Sequence, residues 1–351
     1  MSKHLPSNSN PRILLVKLSS LGDVLHNLPI VWDLRVRLPN AQIDWVVEEA
    51  YVHLLQPLLS IDGFKGIDRI IPFGLRRWKK SLLSAQSWKE FFSFKKELQS
   101  VSYDVIIETQ GLLKSALVCA LAKKSPGAVI AGLGNATQYS GYEPIARAFY
   151  NQSVQVPFQC HAVDRSRYVM CSALDWPLIS RNEGAHFYPA SYLSGISEAR
   201  LTQLTKPYVL FFHSTAREAK RWSNTNWVAL GKTLSERGYQ IVLPWGNAAE
   251  KSVSLQLAAQ ISGSIVPNAF SIEEAFSIVA NAALVVGVDT GLTHLAAVLN
   301  QATVEIYCDS PRWKTEGYWS EKVRNIGDMH QSPSVEQVVN ASLELLSAAK
   351  H

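Results

Sequence analysis

The sequence predicts an α/β protein built as two Rossmann-like halves with mainly parallel sheets. Three observations lead there. Short Val- and Ile-rich runs alternate with helical patterns in both parts of the chain. The alternation lapses from about Cys171 to Pro207, where "WPLISRNEGAHFYPASYLSG" is turn-rich and lacks long periodicity. After that connection a second strand–helix series begins, which divides the chain into domains 1–180 and 181–351.

In the first half, Ile13–Lys17 reads as a strand and Val24–Leu38 as a helix with Pro29 early in it. Strands follow at Gln42–Val47 and Ile67–Pro72, then a long basic-aromatic helix over Trp78–Gln99, then strands at Tyr103–Glu108 and Ala128–Gly132. In the second half, Tyr208–His213, Gln240–Pro244, Ala283–Val288 and Thr303–Tyr307 are strand-like. Ser334–Ala349 is a terminal helix, a candidate to pack back on the first domain, with apolar residues that include Val335, Val338, Leu345 and Leu346. No short-period repeat is visible.

Composition narrows the class. At 351 residues, two domains can each bury a core. The 47% hydrophobic and 18% charged content describes a globular chain rather than a disordered one. No apolar run of about 18 residues is present to span a membrane. Met1–Pro11 is polar, lacks the apolar core of a signal peptide and reads as a short disordered leader. The cysteines, Cys119, Cys160, Cys171 and Cys308, form no CxxC pair and no zinc spacing, which fits a reducing cytoplasm. The net charge of +5 points to an anionic partner without specifying its kind.

Ligands of such sheets sit beyond the carboxyl ends of the strands, and four turns there carry chemistry. "SSLGDV" places Asp23 just after Gly22, where it is either a favourable charge at a helix N-terminus or a working base. "HSTAREAKRW" gathers Arg217, Lys220 and Arg221 beside the hydroxyls of Ser214 and Thr215, a set suited to a diphosphate; the plain alternative is a solvated basic loop. "LPWGNAAE" puts Glu250 beyond a strand, where a carboxylate can accept from ribose hydroxyls. "GVDTGLTHL" runs from an apolar strand through Asp289, Thr290 and Gly291 into a helix bearing His294, whose free N–H groups favour phosphate oxygens. Capping by Asp289 or Thr290 is the simpler reading of that turn. A fifth feature is the cluster Arg76, Arg77, Lys79 and Lys80 around Trp78, followed by Trp88, Phe91, Phe92 and Phe94. It suits an anionic headgroup or an acidic bilayer surface, with some of the aromatics buried.

Several familiar patterns are absent. Gly132-Leu133-Gly134 lacks the third glycine of a dinucleotide fingerprint, and Gly231-Lys232-Thr233 lacks the glycine of a Walker A loop. There is no HExxH and no GxSxG.

Taken together, the turns resemble those of the ADP-heptose:lipopolysaccharide heptosyltransferases of glycosyltransferase family 9, type I among them. The resemblance covers most of the chain. It rests on "VKLSSLGDVLHNLP", "DWVVEE", "RRWKK", "QGLLKSA", "HAVDRSR", "LPWG" and "GVDTGLTHL". It implies a GT-B fold, two Rossmann-like domains facing a central cleft, with an acceptor-binding N-terminal half and a donor-binding C-terminal half. It further implies inverting transfer of heptose from ADP-L-glycero-β-D-manno-heptose to the Kdo of Kdo-lipid A. Asp23 is then the general base. Thr215, Lys220, Glu250, Asp289, Thr290, Gly291 and His294 bind the donor. Ser19, Ser20, Gly22, Arg76, Arg77, Lys79, Lys80 and Arg165 bind the acceptor. A lipid acceptor implies a cytoplasmic protein held peripherally on the inner face of the inner membrane. No cofactor, metal or nucleic acid is expected, and no Asp-x-Asp motif is present to hold a metal.

The sequence departs from the family pattern at three places. Ala216 follows Thr215 where a second threonine is usual, Glu108 replaces an aspartate, and Tyr142 replaces an arginine before Glu143-Pro144. The rival functions are another sugar-nucleotide transferase of the same fold and a non-catalytic nucleotide-binding protein.

Overall fold

The structure, a computed structural model, describes residues 10–59, 65–81, 84–196, 204, 207–215 and 217–348. Most of the expected leader, part of the expected connection, Ala216 and Ala349 lie outside the described residues. The chain divides into two compact units, Met1–Ser191 and Tyr192–His351.

Among the described residues, the first unit holds six strands: β1 (Arg12–Val16), β2 (Gln42–Glu48), β3 (Arg69–Phe73), β4 (Tyr103–Glu108), β5 (Lys124–Leu133) and β6 (Gln152–Val154). All pair in parallel, in the order β3-β2-β1-β4-β5-β6. Val16 pairs with Val46 on one side and Glu108 on the other, so the order reverses between β1 and β4. That reversal is where an open parallel sheet leaves a crevice for a ligand. The edge strand β3 tolerates Pro72, which has no N–H to give a further neighbour. A register shift between β4 and β5 is taken up around Gly127, whose φ of 77° suits glycine.

Among the described residues, seven α-helices accompany this sheet: α1 (Leu21–Leu25), α2 (Pro29–Arg37), α3 (Val52–Leu55), α4 (Leu75–Lys80), α5 (Ala85–Leu98), α6 (Leu113–Leu121) and α7 (Ala162–Ala173); α8 (Ala190–Gly195) spans the boundary between the two units. Two of the expected helices are each split. The helix over Val24–Leu38 is α1 and α2, because Pro29 has no N–H to continue a helix but suits its first position. The helix over Trp78–Gln99 is α4 and α5; Ser84 caps the second, its Oγ accepting from Gln86 N at 3.2 Å. The aromatics of this region divide. Trp78 and Phe94 are buried beside Phe73, with ring centroids 5.1–5.8 Å apart, while Trp88 and Phe92 are more than half exposed.

The second unit holds β7 (Tyr208–Phe212), β8 (Gln240–Val242), β9 (Leu284–Val288), β10 (Thr303–Tyr307) and β11 (Val323–Gly327). They are parallel, in the order β11-β10-β9-β7-β8, and this order reverses between β7 and β9. Helices α9 (Asn224–Glu236), α10 (Ala248–Ala258), α11 (Ile272–Ala280), α12 (Gly291–Val298) and α13 (Val335–Ala348) complete it. Trp222, Trp227 and Phe211 pack together at centroid distances of 4.9–5.2 Å. The terminal helix α13 packs within its own unit, with Val338, Leu345 and Leu346 in that unit's core. No helix among the described residues is long and apolar enough to cross a membrane.

Candidate active site

In the first unit the crevice lies at the ends of β1 and β4, where Gln110 holds the turn that follows β1. Its Oε1 accepts from the N–H of Leu18 (2.8 Å) and Ser19 (3.2 Å), and its Nε2 donates to Ser19 O (2.8 Å). The buried Glu108 shapes the next turn by accepting from the N–H of Gln110 (2.7 Å) and Gly111 (3.0 Å) and from the Tyr150 hydroxyl (2.6 Å). The departure from the family's aspartate at this position is thus accommodated by a fully used carboxylate.

Asp23 stands on the first turn of α1 with its two oxygens in different situations. Oδ2 accepts from Ser20 N (3.1 Å) and Ser20 Oγ (2.9 Å). Oδ1 faces Lys17 Nζ at 3.7 Å and Arg165 Nη2 at 3.6 Å, too far for close hydrogen bonds. The side chain keeps 39% exposure, whereas Lys17 and Arg165 are almost wholly buried. Burial pushes the Asp23 carboxyl up, but Lys17, Arg165 and the Ser20 hydrogen bonds outweigh it and hold the group well below the usual carboxylate range. Asp23 is therefore ionised at neutral pH, with one oxygen open to a proton donor.

The basic residues around this turn are not equally available. Lys114 Nζ donates to Ser19 Oγ (2.7 Å) and to Glu48 Oε1 (2.9 Å), and Arg76 pairs with the other oxygen of Glu48 at 2.6 Å. Arg77 pairs with Glu49 and Glu90, so its expected acceptor contact competes with two carboxylates. Lys79 and Lys80 are exposed. Ser19 is buried and hydrogen-bonded to Lys114 and Gln110. The carbonyl of Gly22 accepts from His26 Nδ1 (2.7 Å).

In the second unit the corresponding crevice lies at the ends of β7 and β9. Lys220 reaches it from the loop after β7 and pairs with Asp289 Oδ2, at the end of β9. That loop is anchored two residues later by the buried Trp222, whose Nε1 donates to Pro333 O (2.9 Å). Asp289 Oδ1 meets His294 Nε2 at 3.0 Å and accepts from Thr315 Oγ1 at 3.3 Å. The other His294 nitrogen, Nδ1, meets Glu305 Oε1 at 2.9 Å, and Glu305 also accepts from the hydroxyl of Tyr307 and the N–H of Gly317, both at 3.0 Å. Burial pulls His294 down, yet Glu305 and Asp289 together push it up to about 10. Burial likewise raises Asp289, but His294 and Lys220 hold it well below the carboxylate range. The result is a charged chain, Lys220–Asp289–His294–Glu305, of which Lys220 is the most exposed member.

Both ring nitrogens of His294 meet carboxylates, Glu305 at Nδ1 and Asp289 at Nε2. Thr290 is the N-cap of α12 and Gly291 its first residue, which leaves N–H groups of the first turn outside the helix's own bonding. Thr215 is half-buried in the loop after β7. Glu250 is half-buried too and already bound to its own turn, accepting from Gly246 N (2.7 Å) and Asn247 Nδ2 (2.8 Å).

A model of glycosyltransferase family 9 (heptosyltransferase) matches residues 91–345. The chain belongs to that family. Lipopolysaccharide heptosyltransferase 1 of Pseudomonas aeruginosa is 35% identical over 93% of this chain and 86% of its own length. The solved E. coli heptosyltransferase WaaC with ADP superposes with a TM-score of 0.79 at 30% identity, covering 95% of this chain and 99% of that one. The same enzyme with ADP-2-deoxy-2-fluoro heptose gives a TM-score of 0.73 over 97% of this chain and 100% of that one. The fold is accordingly GT-B, and the protein is a glycosyltransferase that transfers heptose in lipopolysaccharide inner-core synthesis.

Five residues of these two crevices carry roles that motif reading did not assign: Lys17, Gln110, Lys114, Glu48 and Glu305. Two of them leave a visible signal. Lys17 is a cation closing an apolar strand, and Glu305 is a carboxylate inside the apolar run "TVEIY". Both are buried, and a buried charge needs a partner.

Proposed function

We propose that the chain moves L-glycero-D-manno-heptose from ADP-heptose to a hydroxyl of Kdo in Kdo-lipid A by a single inverting displacement, with Asp23 as the general base. The acceptor oxygen attacks the anomeric carbon as the bond from that carbon to the diphosphate breaks. The hydroxyl proton passes to Asp23 Oδ1 and the electron pair leaves with ADP. Asp23 is ionised and its Oδ1 is approached only by charge, which leaves a lone pair for that proton.

The same cations that keep Asp23 ionised also make it a weak base. An acceptor carrying a sugar-acid carboxylate and phosphates offsets them: negative charge set beside Arg165 and Lys17 raises the proton affinity of Asp23 as the acceptor arrives. Negative charge growing on the departing ADP is met by Lys220 and by the first-turn N–H groups of α12 at Thr290 and Gly291. Asp289, held by His294, fixes the Lys220 ammonium. Glu250 and Thr215 complete the donor side, and Arg76, Arg77, Lys79, Lys80 and Arg165 receive the acceptor's anionic groups. A lipid-anchored acceptor keeps the enzyme at the inner face of the cytoplasmic membrane as a peripheral protein.

The observation that carries this proposal is the open Oδ1 of Asp23 beside two buried cations. The test is heptose transfer from ADP-heptose to Kdo-lipid A by the purified chain, followed by mass spectrometry. Asp23→Asn is expected to lower turnover by about 10²–10⁴-fold while ADP still binds. Wild-type turnover in that variant removes Asp23 from the role of base.

A further inference from the structure

A cavity of ≈ 570 Å³ opens in the first unit, among α4, α5 and α6. Its size falls within the range of about 300–1,000 Å³ typical of small-molecule sites. Trp78 and Phe91 line one side, and Leu113 and Leu117 the other. The two leucines sit one turn apart on α6 and are 36% and 44% exposed, so apolar side chains are presented to an open space rather than buried.

Two further observations limit what can fill it. Lys114 belongs both to the cavity wall and to the catalytic turn, where its Nζ donates to Ser19 Oγ at 2.7 Å. An occupant therefore begins within one side chain of the turn that carries Asp23. The charge beside the apolar surface is mainly positive. Lys79 and Lys114 are in the lining, and Arg76 and Lys80 lie on the same short helix as Lys79. The carboxylate in the lining, Glu143, accepts from Leu113 N (2.5 Å) at the start of α6. An apolar body with an anionic end matches this surface.

We propose that the cavity takes one acyl chain of the lipid-anchored acceptor, with the anionic sugar to which the chain is attached lying against Lys114 and the cations of α4. This rests on the lipid acceptor proposed above and adds to it a subsite that reads the lipid, not the sugar. Burying the chain removes its methylene groups from water and holds the acceptor sugar beside Asp23. It is distinct from docking on a bilayer surface, for which the exposed Trp88 and Phe92 of α5 are the natural contacts.

The test uses the full-length chain and dodecyl phosphate, titrated calorimetrically below its micelle concentration. One saturable site is expected. Leu117→Arg, which puts a charge in the cavity, and Ala120→Phe, which fills it from an exposed helix position, are each expected to weaken binding at least ~10-fold. Phe92→Ser is expected to bind as wild type does. Absence of a saturable site, unchanged affinity in both cavity variants, or an equal loss in Phe92→Ser overturns the proposal. So does a chain that sediments as a dimer and becomes monomeric in Leu117→Arg, because the cavity then belongs to a second copy. A kinetic arm follows the ratio of KM for de-acylated to acylated acceptor. The ratio is expected to exceed one in the wild type and to fall toward one in both cavity variants. If neither acceptor receives heptose while dodecyl phosphate binding still depends on Leu117 and Ala120, the acceptor assignment fails and the acyl site stands.

Discussion

Asp23 and Asp289 hold comparable places in two different sheets. Each lies past a strand at which the sheet order reverses, and each is flanked by two basic side chains. They differ in how those side chains reach them. Lys220 and His294 are in hydrogen-bond contact with Asp289, whose side chain is 9% exposed. Lys17 and Arg165 stand 3.6–3.7 Å from Asp23, which is 39% exposed. A carboxylate whose acceptor sites are filled by its own protein is a fixed part of the scaffold. One whose counter-charges stand off is ionised yet free to bind a proton. Two acids that look alike at two strand ends therefore stand in different electrostatic surroundings.

The most direct way to break this comparison is to neutralise each acid in turn. Asp289→Asn strands Lys220 and His294 without their carboxylate and is expected to cost about 3–5 kcal/mol of stability in denaturant unfolding. Asp23→Asn also takes the counter-charge from Lys17 and Arg165, but at 3.6–3.7 Å and beside a partly exposed carboxylate, so it is expected to cost less stability than Asp289→Asn and to lose turnover instead. Similar behaviour of the two variants in both assays would erase the distinction.

Lys220→Ala sharpens the donor side. Loss of a charge-assisted contact is expected to raise KM for the ADP-sugar roughly 10–100-fold, leaving KM for the acceptor near its original value. Equal changes in both would mean that Lys220 serves the fold alone.

The pH dependence separates two histidines of the second unit. The pKa of His294 rises from 6.5 to about 10 on folding, so the stability it contributes is complete below pH 6.5 and is lost as pH climbs toward 10. His213 is the opposite case. Burial, aided by Arg221, lowers it to about 4, so its contribution is present above pH 6.5 and disappears as pH falls toward 4. Calorimetry is expected to show the alkaline decline in wild type and its absence in His294→Gln. A decline of equal size in that variant would assign it to another group.

The smallest expected effect is that of Gln110→Leu. It removes the bonds that hold Leu18 and Ser19, and turnover is expected to fall about tenfold, with KM for the ADP-sugar unmoved. A change confined to the donor KM would show that Gln110 does not act through the Asp23 turn.

Much of the fold was legible because its signals are local. The strands Tyr103–Glu108 and Thr303–Tyr307 were read with their observed bounds from apolar runs. The edge strands β6 and β11 were missed: the first has only three residues, and the second, "VRNIG", is largely half-exposed and has no apolar run. The division of one expected helix at Pro29 was visible in the sequence but read as a helix with an early proline. On the donor side, Lys220, Asp289 and His294 were singled out from their turns, although the pairing of His294 with Glu305 was not.

The sequence alone determined the alternation that builds two parallel sheets, the family, and the acids and cations set at the strand ends. Those properties depend on residue type and spacing within a few turns of chain. Only the tertiary structure decided which charged group is available. Gln110 reaches Leu18 across 92 residues of sequence. Arg165 comes from α7 to face Asp23, and Glu305 comes from a neighbouring strand to fill the second nitrogen of His294. Burial and counter-charge set the state of an ionisable side chain, and both come from parts of the chain that no local pattern connects.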